Sequence, residues 1–330
     1  MTVSENISAP VLLIAALLIL ILFQSLIFAG AEPESGLEQE AGDYIIINGA
    51  QYRPDRFFLL ATASNICAFL LPAFFYIKLK GGGYVKKLKL SAPKPKYLLL
   101  SLYMFCAMLS GAVLINSLLI YAGAGFENAL PPFVVYTGGD PAYNTGVIIS
   151  FVALPAFCEE FFFRSALAAE YEKHGVFCAA VITSAAFAMA HFSIWLFPSY
   201  FFAAIILYAA AKITGSVFYA AALHAGYNFF NIYLWERLAR VLNFEQNRGV
   251  FIFLSAIALA VFIIFALNNV EFIYYEKAHS GSSGGPQTNR PAPDNKTKKS
   301  PALIVKFFKS FLSPTFLAAA AIFFIYINLK

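Results

Sequence analysis

The stretch TGVIISFVALPAFCEEFFFRSALA, residues 145–168, places two adjacent carboxylates and an arginine within an otherwise apolar segment. A helix needs about 20 predominantly apolar residues to cross a bilayer, so this segment is long enough to span one. Ionisable side chains inside such segments are energetically costly and rare, and they usually mark functional sites. The stretch therefore predicts a membrane-spanning helix that carries chemistry.

The rest of the chain has the composition of a multi-pass membrane protein. Hydrophobic residues make up 60% of its 330 residues and charged residues only 12%, whereas soluble domains carry about 25% charged residues. We predict an all-α, polytopic helical bundle of about eight spanning helices, near 10–29, 57–79, 97–123, 145–168, 175–197, 199–211, 215–235 and 249–270. A last apolar segment, about 313–328, is either a ninth span or an interfacial helix.

The loops between these spans differ in charge. Loop 32–56 is largely acidic and loop 78–96 is strongly basic. Because cytoplasmic loops carry an excess of Lys and Arg, we place the basic side in the cytoplasm, with the N-terminus also there and the protein in the cell membrane. The loops predicted on this side are 78–96, 168–174, 212–214 and 271–309. These loops explain the formal charge of +5, so no nucleic-acid partner is expected.

The carboxylates at the centre of the quoted stretch are predicted to act differently. Glu160 and Arg164 are four residues apart on a helix and can form an ion pair. Glu159 points about 100° away from that pair, which leaves it available as a general base. The alternative interpretation is a structural ion pair that pins the helix end. The second carboxylate beside the pair favours a functional site.

Two later apolar segments carry further polar side chains. His191 lies in the fifth predicted span, and on its own it is more typical of a buried core histidine than of a catalytic one. In the seventh span, His224 and Asn228 are four residues apart and share a helix face, with Gly226 leaving the backbone accessible between them. Such a pair either bonds helices together or directs two donors at one point, as an oxyanion requires.

The three segments together carry the order Glu-Glu-x-x-x-Arg, Phe-x-x-x-His and His-x-x-x-Asn. This order resembles the CPBP family of intramembrane endopeptidases, which includes the CAAX prenyl protease type II and bacteriocin-processing (Abi) proteins. The resemblance covers roughly residues 97–270 and implies a protease core there. Residues 1–96 would add two spanning helices, 271–312 a disordered basic linker and 313–330 a C-terminal apolar helix.

The resemblance also implies a role for each polar residue. Glu159 would activate the attacking water, with His191 helping to hold that water. His224 and Asn228 would stabilise the tetrahedral oxyanion.

The Ala-Gly-Ala run at 29–31 is similar to a signal-peptide cleavage site, but the preceding segment lacks a basic residue, so a retained first span is expected.

The predicted site has two further aspects, a supporting ion pair and the possible binding of a metal. Glu160 and Arg164 would orient Glu159 and hold the helix. His191, His224 and Glu159 have the composition of a His₂Glu zinc site, although the His-Glu-x-x-His pattern of many metalloproteases is missing. A glutamate-activated water needs no metal. We expect no tightly bound metal, and zinc remains the alternative.

These features predict an intramembrane endopeptidase acting on a peptide or lipidated protein in the bilayer. The alternatives are a zinc-dependent variant, a non-catalytic immunity or scaffold protein of the same fold, and a transporter with a Glu and His proton relay. A non-catalytic protein would be expected to have lost one of the polar residues, and none is lost. A transporter more often shows repeats and broken helices, which are not evident here.

The predicted span boundaries leave one geometric conflict. Glu159 lies about 21 Å along the fourth span, whereas His191 lies about 24 Å from the opposite face. In an apolar core about 30 Å thick, these two depths do not coincide. We therefore predict that the fourth helix reaches about Tyr171, with Glu159 near its middle.

Overall fold

A computed structural model describes residues 9–29, 44–47, 50–52, 54–124, 133–136, 140–244, 246–280 and 311–329. These residues form eleven helices and three short strands. In chain order they are α1 (Ala9–Ala29), β1 (Tyr44–Ile47), β2 (Ala50–Tyr52), α2 (Pro54–Asn65 continuing to Leu71–Lys80), α3 (Gly82–Val85), α4 (Leu98–Leu119), β3 (Phe133–Tyr136), α5 (Pro141–Val147 continuing to Ala168–Tyr171), α6 (Val176–Met189), α7 (Phe197–Thr214), α8 (Val217–Phe229), α9 (Glu236–Val241), α10 (Arg248–Ser280) and α11 (Pro314–Leu329). The predicted helical bundle is confirmed, and the strands are an addition to it.

Among the described residues, six helices are long and apolar enough to cross a membrane. They cover Ala9–Ile27, Phe57–Lys80, Pro95–Gly123, Pro141–His174, Phe197–Thr214 and Arg248–Glu276. Two shorter apolar helices, Val176–Met189 and Pro314–Asn328, lie at the fifth and ninth predicted segments. The seventh predicted segment forms α8, which falls outside both groups. The protein is thus a multi-pass membrane protein whose helices coincide with the predicted apolar blocks.

The first turn of the central helix α5 is capped by the residue that precedes it. The Asp140 carboxylate accepts hydrogen bonds from the backbone N–H groups of Ala142 and Tyr143, both at 3.2 Å, which caps the first turn. The helix then continues through Leu154–Glu160 to Tyr171. The prediction that this helix reaches about Tyr171, with Glu159 near its middle, is confirmed.

Two π-helical turns interrupt α5, at Ile148–Ala153 and Phe161–Leu167. The first lies just before Pro155, which has no N–H to donate to the preceding turn. A similar π-helical turn in α2, Ile66–Leu70, is also followed closely by a proline. The segment that carries Glu159 and Glu160 therefore lies between two wider turns, a feature that is frequent at functional sites.

The predicted fifth span, 175–197, is wrong in its extent. Helix α6 ends at Met189, and residues 190–196 form turns that reverse the chain into α7. Within these turns Phe192 adopts a left-handed backbone (φ +48°), and the Ser193 hydroxyl accepts from the Leu196 N–H at 3.2 Å. His191 therefore lies beyond the end of the helix.

The predicted boundary of the basic linker is also wrong. Helix α10 continues to Ser280, ten residues beyond the predicted end of the eighth span at residue 270. Residues 271–280 are therefore helical and do not belong to a disordered linker. Residues 281–310, on which most of that prediction rests, lie outside the described residues.

The loops gather at two ends of the bundle. Strand β1 pairs antiparallel with both β2 and β3, which brings loop 32–56 to loop 124–144. At the other end, the Glu172 carboxylate lies 2.8 Å from Lys89 Nζ and 2.7 Å from Lys212 Nζ. This grouping matches the alternation predicted for the loops. That the basic end faces the cytoplasm stays a prediction.

Candidate active site

A cavity of about 300 Å³ lies between α1, α2, α5 and α8. Four of the six predicted site residues line it: Glu159 from α5, His191 from the turn after α6, and His224 and Asn228 from α8. These residues come from three segments that are far apart in the chain. The fold therefore brings them to one cavity within the helical bundle.

Glu160 and Arg164 do not line the cavity, and their side chains are buried behind it. Glu160 Oε2 lies 3.0 Å from Arg164 Nε, so the predicted i,i+4 ion pair is formed. The other carboxylate oxygen, Oε1, lies 3.0 Å from His224 Nδ1. The sequence predicts that this pair orients Glu159. The structure differs from this prediction. The Glu160 carboxylate contacts His224 and therefore orients His224.

Arg164 is held from several directions. Its Nη2 donates to the Ala204 carbonyl at 3.3 Å, and its backbone carbonyl accepts from Lys89 Nζ at 3.2 Å. The guanidinium lies over the Phe187 ring, 4.5 Å from the ring centroid. A planar guanidinium is suited to such stacking and to pairing with a carboxylate. Arg164 therefore fixes the position of Glu160 and, through it, of His224.

Phe187 explains the spacing of the Phe-x-x-x-His motif. Its carbonyl oxygen lies 2.9 Å from His191 Nδ1, as four-residue spacing at a helix end allows. Its ring centroid lies 4.8 Å from the His191 ring and 5.4 Å from the His224 ring. Tyr200 also stacks on His191, with the ring centroids 4.0 Å apart. The orientations of both imidazoles therefore depend on one phenylalanine.

Glu159 lines the cavity with a side chain that is almost fully buried. Its side chain is only 8% exposed, and Oε2 has no hydrogen-bond partner among the described residues. Buried carboxylate oxygens normally have partners, so one without a protein partner calls for a ligand or a functional role. The arrangement suits a group that takes a proton from water or substrate in the cavity.

Gly226 has a different role from the predicted one. A Cβ at this position would lie 2.9 Å from the Phe105 ring of α4. The glycine therefore permits close packing of α8 on α4, and its backbone is not an open part of the cavity. This packing places the His224 face of α8 towards α5.

The residues that would hold zinc do not form a metal site in this geometry. Across the part of the chain that the structure describes, no group of three or more His, Cys, Asp or Glu side chains is arranged to hold a metal ion. His191, His224 and Glu159 are all described residues and do not form such a group. Their composition fits a His₂Glu set, and the expectation of no tightly bound metal stays a prediction.

One wall of the cavity was not predicted from the sequence. The cavity is also lined by residues of α1 (Leu20, Gln24, Ile27) and of α2 (Ser64, Asn65, Phe69). The predicted core began at residue 97 and left both helices out. The polar side chains of Gln24 and Asn65 within apolar segments were the available signal.

A buried carboxylate, two imidazoles and an amide therefore line one cavity. The family model described as type II CAAX prenyl endopeptidase Rce1-like matches residues 141–230. This segment contains all six predicted site residues, and the match confirms the resemblance to the CPBP family. At the level of the family it supports a CAAX-type intramembrane protease with a peptide or protein substrate. No curated protein and no solved structure matches the chain.

Proposed function

We propose that this protein is an intramembrane endopeptidase that hydrolyses a peptide bond with water activated by Glu159. Its substrate is a membrane-associated or prenylated peptide or protein. The observation that carries the proposal is that Glu159, His191, His224 and Asn228 line one cavity within the helical bundle. A general base and two hydrogen-bond donors around one point are what amide hydrolysis requires.

The attack begins with a water molecule between Glu159 and His191. The His191 Nδ1 faces the Phe187 carbonyl, so this nitrogen carries the proton and Nε2 accepts a hydrogen bond from the water. Glu159 takes a proton from the water as its oxygen attacks the carbonyl carbon. Glu159 then donates that proton to the leaving amine nitrogen as the C–N bond breaks. The water thus supplies the hydroxyl of the new carboxyl group and one proton of the new amine, and Glu159 returns to its starting state.

The tetrahedral oxyanion is stabilised from α8. The Asn228 amide donates one hydrogen bond, and His224 Nε2 donates a second. Because His224 Nδ1 already faces the Glu160 carboxylate, donation from both ring nitrogens requires a doubly protonated ring. The Glu160 carboxylate neutralises the charge of such a ring, and Arg164 holds the carboxylate in place. Removal of one oxyanion donor lowers kcat by about 10²–10³-fold in enzymes that use such donors.

A peptidase assay in detergent tests this proposal. The variants are Glu159→Ala and His224→Ala, each measured with and without a chelator. Glu271→Ala and His279→Ala are matched controls, because both residues are exposed on α10 and His279 Nδ1 contacts the carbonyl four residues earlier, as in His191. We expect activity in the wild type and both controls, loss in both site variants, and no effect of the chelator.

Three results would redirect the proposal. Equal activity in all five proteins would overturn the assignment of the site. Loss of wild-type activity in the chelator, restored by added Zn²⁺, would replace the metal-free mechanism with a zinc-dependent one. Peptide binding without cleavage would favour a non-catalytic scaffold.

A further inference from the structure

Two amide side chains outside the family-matched segment face the cavity. Gln24 lies on α1 and Asn65 on α2, and both belong to the cavity wall. Gln24 Oε1 accepts a hydrogen bond from the Tyr326 hydroxyl of α11 at 2.7 Å. Asn65 Nδ2 donates to the Ala61 carbonyl at 3.0 Å, one turn earlier in its own helix. Among the described residues, each amide is therefore bound to the protein at one end only.

The two unbound ends are complementary to a peptide bond. Gln24 keeps its Nε2 donors and Asn65 keeps its Oδ1 acceptor, with no hydrogen-bond partner for either among the described residues. A peptide bond offers one carbonyl acceptor and one N–H donor. Within the apolar part of a bilayer, neither of these groups is readily left unpaired.

We propose that Gln24 and Asn65 bind the backbone of the substrate peptide, Gln24 donating to a carbonyl and Asn65 accepting from an N–H. This inference rests on the proposed function, since it takes the occupant of the cavity to be a peptide. Glu159 and the α8 residues act on the bond that is cleaved, and the amide pair holds the chain where α1 and α2 line the cavity. Backbone contacts of this kind align a peptide without selecting its side chains.

Tyr326 is a positioning residue in this scheme. Its hydroxyl fixes the Gln24 amide so that Nε2 is the end left to the cavity. Its ring packs on Phe192, next to His191, with the ring centroids 4.7 Å apart. One residue of α11 therefore contacts both the binding wall and the turn that carries His191.

A structural role explains only part of this arrangement. Polar side chains in membrane helices often join neighbouring helices by hydrogen bonds, and the bond between Gln24 and Tyr326 is such a link. It uses the Gln24 carbonyl oxygen alone. Asn65 makes no bond to another helix in the described residues, since its partner lies in its own helix.

Binding is measured separately from cleavage. Full-length protein in detergent carries Glu159→Gln so that peptide is not consumed, and fluorescence anisotropy follows a labelled apolar peptide. We expect Gln24→Leu and Asn65→Leu each to raise Kd about three- to tenfold, and Tyr326→Phe to raise it less. Ser25→Ala is the matched control, because Ser25 is an exposed neighbour on α1 whose hydroxyl bonds to the Ile21 carbonyl. It should bind like the parent protein.

An ester scan of the peptide identifies the backbone group. Replacing one N–H at a time by oxygen removes the donor that Asn65 accepts. One ester should weaken binding to the parent protein several-fold and make no further difference in Asn65→Leu. Such loss of additivity is the signature of a direct contact. In the active enzyme, Gln24→Leu should raise KM and leave kcat near the wild-type value.

The outcomes separate this inference from the proposed function. Peptide bound by the amide pair but never cleaved by the wild type would overturn the proposed function and leave the inference standing. Cleavage that depends on Glu159, with unchanged Kd and KM in Gln24→Leu and Asn65→Leu, would overturn the inference alone. Failure of the parent protein to bind any peptide of the scan would also overturn it.

Discussion

Replacement of Arg164 by methionine should destabilise the protein strongly. Arg164 and Glu160 are 1% and 0% exposed, and their charged atoms lie 3.0 Å apart. Removing one partner of a buried ion pair leaves an uncompensated charge and typically lowers the free energy of unfolding by about 3–5 kcal/mol. The Arg164→Met variant also loses the contact with the Phe187 ring and the bond to Ala204. We therefore expect a loss towards the upper end of that range.

The double variant Glu160→Leu with Arg164→Met separates stability from activity. Replacing both members of a buried pair by apolar residues is often neutral or stabilising, so most of the lost stability should return. Activity should not return, because His224 no longer has a carboxylate beside Nδ1. This difference would show that the pair serves the orientation of His224.

Unfolding by SDS titration, followed by helical circular dichroism, measures the stability, and peptide hydrolysis measures the activity. Lys173→Met is the matched control, because Lys173 pairs with Glu170 but is 54% exposed. An exposed pair contributes at most about 1 kcal/mol. The reasoning fails if Arg164→Met is no less stable than Lys173→Met, or if the double variant regains hydrolysis together with stability.

Single contacts give three further predictions. Gly226→Ala should lower the free energy of unfolding by about 1–3 kcal/mol, measured by the same titration, because its Cβ meets the Phe105 ring at 2.9 Å; unchanged stability would contradict this. Phe187→Leu should lower kcat by about 10–100-fold in the hydrolysis assay, because its ring contacts both imidazoles and small misplacements of catalytic groups are costly. Phe162→Leu is its control, since this ring is also fully buried but packs on other phenylalanines, and equal kcat values in the two variants would refute the reasoning. Burial lowers the pKa of Lys89, in the basic loop, below its ordinary value of 10.5. The unfolded chain then binds more protons between the folded and unfolded pKa values, so this residue's contribution to stability rises with pH up to about 10.5; the slope of stability against pH should be smaller in Lys89→Met, and equal slopes would exclude the effect.

Much of the fold was predictable because it depends on local sequence. Span positions follow from apolar length, and the Glu160–Arg164 pair follows from helical spacing. The extension of α5 to Tyr171 followed from matching the depths of two residues. Each of these inferences uses either residues that are close in the chain or the length of one segment.

The features that were missed depend on contacts between distant segments. The contact of His224 with Glu160 joins residues 64 positions apart, and no local pattern specifies it. The end of α6 before His191 depends on Phe192 adopting a left-handed backbone, which is uncommon for a bulky side chain. The place of α1 in the cavity wall likewise follows from tertiary packing and not from periodicity.

The two wider turns of α5 have a consequence for changes in chain length. A π-helical turn holds one residue more than the α-helical turn that would replace it. Deleting one residue from Ile148–Ala153 would therefore restore ordinary helix there and leave the parts before and after it in nearly their present orientation. An uninterrupted helix such as Phe197–Thr214 has no spare residue, and a deletion within it would rotate everything that follows by about 100°. Loss of one codon is thus best tolerated at the wider turns of α5, where the carboxylates would still face their partners.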